Sequence, residues 1–184
     1  DPPMDPSLPP TPETALIVRH DGTAWRDEID RDWSPALPYT LSDHDVFAID
    51  VAGLSVEPRW TGVGTHLFNV AVNPRTGDLV VTNQEAHNQV RFEPNLRSRF
   101  ADSRLSVLSP GGGVSVIDLN PHVDRSVPGD AAVRGQSVSM PLDVVVDGRG
   151  RSYVAAFGSA KIAVVDAFGQ VERTIDVGGG PAGL

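Results

Sequence analysis

Cysteine is absent from these 184 residues. That excludes disulfides, thiolate metal sites, a cysteine nucleophile and covalent c-type haem attachment within them. Long apolar runs are also missing: none approaches the roughly 20 residues needed to span a bilayer, so no membrane insertion is expected. Positive charge is in short supply, with 15 Lys and Arg against 24 Asp and Glu, a formal net charge of −9. A nucleic-acid partner needs a basic stripe to neutralise phosphates, so this balance argues against one, and equally against docking on anionic lipid. There is no Gly-x-Ser-x-Gly nucleophile elbow, and neither a phosphate loop nor a dinucleotide fingerprint is present. Long amphipathic helices are lacking as well. From Ala15 onward the pattern alternates with period 2, the mark of β-strands.

What the chain does have is a repeat. Residues 67–92 (LFNVAVNPRTGDLVVTNQEAHNQVRF) line up without a gap on residues 141–166 (PLDVVVDGRGRSYVAAFGSAKIAVVD), and 178–184 (GGGPAGL) begins the unit again. Pro141 and Pro181 hold the same place, so one period is 181 − 141 = 40 residues. A fixed period of this size marks a propeller or solenoid. In the last complete unit, 142–146 reads as a Val-rich inner strand buried on both faces, and 147–150 as a tight turn. Residues 152–157 and 162–166 read as the next two strands. The stretch 171–177 reads as an outer strand, with Val171, Ile175 and Val177 on one face and Glu172, Thr174 and Asp176 on the other. Four strands in 40 residues make one propeller blade.

The preceding unit shows the same inner strand (68–73), turn (74–78) and second strand (79–83). Its third strand is expected at 90–92 or at 114–119, because Asp118 resembles Asp166 in context. The stretch 93–113 then reads as an insertion holding a basic island of Arg97, Arg99 and Arg104, either a recognition element or a surface loop. Residues 45–60 resemble the third and outer strands of a blade, with Asp50 in the place of Asp166. Residues 15–20 offer an earlier strand, and 21–32, dense in mixed charge, reads as a solvated loop.

The expected fold is therefore all-β: a propeller of four-stranded blades, present as an incomplete ring of about two blades plus partial ones. A Pro-rich tether covers 1–14. A partial first blade covers 15–60, a second blade 61–135 with its insertion at 93–113, and a third 136–177, and the next blade starts at 178–184. A closed ring takes at least four blades. A protein partner, or a further part of the same polypeptide, is accordingly expected to complete it.

The pattern P-L-D-V-V-V-D-G-R-G-R-S-Y-V-A at 141–155, then I-A-V-V-D at 162–166 and a Gly-Gly-Pro restart, resembles the YVTN-type beta-propeller repeat. The resemblance covers roughly residues 45–184. The name-giving Tyr-Val-x-Asn is imperfect here, reading Tyr153-Val154-Ala155-Ala156. The strings at 43–50, 70–92 and 154–166 are also similar to a subgroup of exported bacterial propeller proteins often joined to c-type cytochrome modules. The resemblance implies a periplasmic or extracellular location and a binding or interaction scaffold. It also implies a possible electron-transfer context, any haem being carried by a module outside these residues.

Propeller geometry would gather 65–66, 84–89, 140–141 and 158–161 on one rim, with Asn69, Asp143 and Gly183 facing the central channel. If His66, Glu85 and His87 converge with Asn69 and Asp143, the set could hold a divalent cation. Imidazole and carboxylate together suit zinc or another first-row metal, and oxygen ligands alone suit calcium. The alternative is that these are ordinary polar rim and channel residues bonded to nearby backbone. Function divides accordingly. One reading is the scaffold. The second is a calcium-dependent lactonase-like hydrolase, similar to gluconolactonase and paraoxonase-type propellers, whose cation polarises a lactone carbonyl. A third is a structural surface-layer element joined through open strand edges. No residue is singled out as a catalytic acid, base or nucleophile.

Overall fold

The computed structural model describes residues 18–27, 30–37, 44–87, 100–125, 127 and 130–184. The 1–14 tether, the 90–92 alternative for the third strand, and Arg97 and Arg99 lie outside them. The described residues are all-β with antiparallel sheets, one six-residue helix and two short 3-10 turns. The chain divides into two units, residues 1–43 with 86–101 and residues 44–85 with 102–184.

In the smaller unit β1 (Arg19–His20) pairs with β2 (Trp25–Arg26). Much of the mixed-charge stretch is exposed, including Asp21, Asp30, Arg31 and Asp32, but Trp25–Arg26 is a strand and Asp27 is buried. Asp21 accepts from the Thr23 hydroxyl at 2.7 Å, from the Thr23 and Ala24 N–H groups at 2.8 Å, and from Arg26 Nε at 2.5 Å. These donors, the Thr23 hydroxyl foremost, hold its carboxyl well below the usual carboxylate range. The Asp27 side chain is fully buried and accepts from Arg31 Nε at 2.7 Å and Trp33 Nε1 at 2.9 Å.

The larger unit is a succession of sheets. A hairpin, β3 (Val46–Asp50) with β4 (Ser55–Trp60), comes first. A four-stranded sheet follows in sequence order: β5 (His66–Val72), β6 (Leu79–Ala86), β7 (Ala101–Leu108) and β8 (Val114–Asp118). A second has the same order: β9 (Pro141–Val146), β10 (Ser152–Ala156), β11 (Lys161–Val165) and β12 (Val171–Asp176). Helix α1 (Ala131–Gln136) lies between β8 and β9. Its N-terminus is capped by the Asp130 carboxylate, and the Lys161 ammonium donates to the Gly135 carbonyl in its last turn.

The sheets pack face to face. Trp60 and Val63 cluster with Val81 and Leu108 on one side of the β5–β8 sheet. On its other side Val80 and Leu105 meet Val144, Val154, Ala163 and Val165 of the β9–β12 sheet. Val80 and Val81 are consecutive in β6, and the pleat sends them to opposite faces, so this sheet is buried on both. Each buried Val or Leu contributes roughly 1.5–3 kcal/mol, which makes these clusters the main force between layers. Strands β5 and β9 run beside one another.

One five-residue turn recurs at 109–113, 147–151 and 166–170. Its first side chain accepts turn amides: Asp147 from Arg149 and Arg151, Asp166 from Phe168 and Gln170, Ser109 from Gly113. Its fourth residue has φ between 84° and 91° at Gly150, Gly169 and Gly112, a region that favours glycine.

Four expectations need correcting. The third strand of the earlier sheet is β7, inside the stretch read as an insertion. The segment 114–118 is the outer strand β8, so Asp118 is not the counterpart of Asp166. The gapless alignment also fails by one residue. Asn69 and Asp143 correspond with a spacing of 143 − 69 = 74, whereas their pairing partners Thr82 and Ala155 are 155 − 82 = 73 apart. The 73–78 connection simply has one residue more than 147–151. Thirdly, the inner strands are not the most buried: Val70 and Val145 are 51% and 41% exposed, while Val154, Ala155 and Ala163 are fully buried. An inner strand has a paired neighbour on one side only, and β10 and β11 have one on both. Lastly, Val171 and Ile175 do not share a face. A bulge pairs Val165 with Val171 but Val164 with Arg173, which resets the alternation and leaves Val171 facing the core with Thr174.

Candidate functional site

Two of the five candidate ligands come together. Asn69 on β5 and Asp143 on β9 each sit beside a bulge in the inner strand. Each turns its side-chain oxygen back onto the next amide, Val70 N–H at 2.6 Å and Val144 N–H at 2.8 Å. The Asn69 Nδ2 donates to Asp143 Oδ1, and the Leu184 N–H donates to Asp143 Oδ2 at 2.7 Å. A methyl group at Gly183 would lie 3.6 Å from the same Oδ2, so the three positions expected to line the channel adjoin in order.

The other candidates are placed elsewhere. Glu85 Oε2 accepts from Arg104 Nη2 at 3.0 Å, an ion pair whose side chains are only 13% and 15% exposed. His66 is exposed and pairs with Gln84, so it shares the face of Gln84 and not that of its neighbour Glu85. His87 belongs to the smaller unit, where its N–H bonds the Phe100 carbonyl at 2.9 Å. Among the described residues no three or more His, Asp and Glu side chains gather in a metal-binding arrangement.

A buried polar network was not anticipated. Arg104 also donates to Asn83 Oδ1 at 3.1 Å and to the Val63 carbonyl at 2.9 Å, and Ser106 Oγ donates to that carbonyl at 2.8 Å. Asn83 Nδ2 donates to Ser106 Oγ and to the Val81 carbonyl. The network fastens the 61–64 connection to β6 and β7. Gly64 is required there, because a Cβ would stand 2.5 Å from Asn83 Oδ1. Nothing in the sequence signalled this beyond an Asn and a Ser at strand positions that turn out to be buried.

At the same end of the β9–β12 sheet, 139–141 and 157–160 form one rim. Phe157 and Gly158 N–H bond the Met140 and Ser139 carbonyls at 3.0 Å, and Ser139 N–H bonds Ser159 Oγ at 3.2 Å. Met140 and Ala160 hold left-handed conformations (φ 52° and 53°) that non-glycine residues seldom adopt. Met140 and Phe157 present apolar side chains there, 39% and 43% exposed. At the opposite end Asp147 is held below the usual carboxylate range, first by the Arg151 N–H, then by the Arg149 N–H and the Arg151 guanidinium.

No family model matches the chain, and no curated protein matches it. Among solved structures it is similar to Kuenenia stuttgartiensis hydrazine synthase, with a TM-score of 0.58 and 15% identity over 73% of this chain. That likeness covers 43% of the neighbour, so the chain spans less than half of its length. At this identity the likeness speaks to the fold alone.

Proposed function

We propose that these residues are part of a β-propeller of the YVTN-repeat kind that serves as an exported binding scaffold, in the periplasm or outside the cell. The observation that carries this is the stacking of two four-stranded meanders with the same strand order and their inner strands side by side, Asn69 and Asp143 holding equivalent places in them. Such a stack is a rigid platform, and its loops can vary without disturbing the core. The recognition surface is the rim built from 140–141 and 158–161, where Met140 and Phe157 offer apolar contact. Its partner is a protein or a further part of the same polypeptide, a haem-bearing cytochrome module being the occupant that the repeat resemblance favours. Arg104 leaves the proposed surface, since it is committed to Glu85. A cation-dependent lactonase reading draws less support: both Asp143 oxygens accept N–H groups, and Glu85 faces an arginine. The enzyme named for hydrazine synthesis lends its fold to this comparison and not its chemistry.

The test is photo-crosslinking in the native host from single sites placed along the rim and along the sheet faces. The scaffold reading expects one protein partner, crosslinked from 140–141 and 158–161 and lost in Phe157→Asp. Calcium-dependent hydrolysis of a lactone by the purified protein, with no rim crosslink, would replace this reading with the hydrolase.

A further inference from the structure

We propose that Asn69 and Asp143 form a directional side-chain clasp that fixes the register between successive inner strands, with Asp143 holding residues 181–184 against β9. The geometry is the same at both positions. A bulge next to each residue frees its side chain from the strand ladder, and one oxygen folds back onto the following N–H. What remains of each side chain is then aimed sideways at the neighbouring strand. Asn carries N–H groups to give, and an ionised Asp carries none. Donation therefore runs from the Asn69 amide into the Asp143 carboxylate, which also receives the Leu184 backbone N–H. Three donors from three segments converge on one carboxylate. A one-residue slip of one strand would set Phe68 or Val70 against Asp143, or Leu142 or Val144 against Asn69. The clasp thus selects one register among those that the Val-rich pattern alone would tolerate.

The order Asn then Asp is the testable part. Asn69→Asp sets two carboxylates within hydrogen-bonding distance, and like charges at that separation oppose each other. Adding Asp143→Asn restores one donor and one acceptor with the direction reversed. We expect Asn69→Asp in the full chain to lower the thermal midpoint by about 3 °C or more, and to speed amide exchange at Val144 and Leu184. The Asn69→Asp, Asp143→Asn double variant recovers most of the thermal midpoint but not both exchange rates, because an amide at 143 has one oxygen for the Val144 and Leu184 N–H groups. In Asp143→Ala, whose core methyl spectrum serves as the check on folding, exchange at Leu184 accelerates while that at Val164 does not. Additive effects of the two single changes, or an unchanged Leu184 rate in Asp143→Ala, would overturn the proposal.

Discussion

Arg104→Ala discriminates between a surface cation and a structural ion pair. The guanidinium gives three hydrogen bonds, to Glu85, Asn83 and the Val63 carbonyl, and its side chain is only 15% exposed. Truncation takes these donors from a carboxylate that is itself 13% exposed. Breaking one side of a buried pair costs about 3–5 kcal/mol, and the remaining access of water lowers that to about 2–4 kcal/mol here. For a cooperative unit of this size the fall in Tm is about 6–15 °C. Trp60 is a built-in reporter, being 3% exposed in the adjoining cluster and bonded through Nε1 to the Ser109 carbonyl at 3.0 Å. Its fluorescence should follow the transition. Arg104→Lys should recover only part of the loss, since one ammonium cannot reproduce the planar fork. Glu85→Gln and Arg104→Ala should be strongly non-additive. A Tm for Arg104→Ala within about 1 °C of the parent would refute the reasoning and return Arg104 to the surface as a free cation.

Leu105→Ala, at a fully buried site between the two four-stranded sheets, should cost about 3–5 kcal/mol in urea unfolding. Gly64→Ala should cost about 1–3 kcal/mol through the 2.5 Å approach to Asn83 Oδ1, and Asn83→Ala in the same chain should relieve the clash while losing the network. Asp147→Asn keeps the oxygen that accepts the Arg149 and Arg151 amides and removes the charge. The folded-state value of Asp147 is depressed, so its contribution is complete above the unfolded value of about 4 and is lost as pH falls through the depressed one. The Tm gap between parent and variant should therefore be widest near neutrality and close below about pH 4 in a thermal-melt series.

Much of the later sheet could be read in advance because its residues advertise their places. The Val run at 144–146, the Asp-x-x-Gly turns and the small residues of β10 follow local rules that packing then obeys. The earlier sheet hid its third strand because Ala101–Leu108 (ADSRLSVL) does not look like one. It carries Arg104 and the buried Ser106 on one face, and they are tolerable there only because distant groups satisfy them: the Val63 carbonyl, Asn83 and Glu85. Those partners lie 19 to 43 residues away in sequence, and no local pattern announces them. The same holds for the bulges. A single extra residue at Phe68, Leu142 or Glu172 inverts every alternation beyond it, and its presence is set by pairing rather than by residue type. The candidate site was legible to the extent that Asn69 and Asp143 share a repeat position. Their direct bond could be seen only once β5 and β9 were side by side. The arginine partner of Glu85 is hidden for the same reason as β7, lying in a stretch that local pattern reads as an insertion.

Successive four-stranded sheets stack face to face, and methyl-labelled NOE spectroscopy of the full chain reads that packing directly. Cross-peaks should run from the Leu105 methyls on β7 to those of Val154 on β10 and Val165 on β11, with Val80 joining the same set. Leu105 methyls that meet only partners within their own sheet would contradict it.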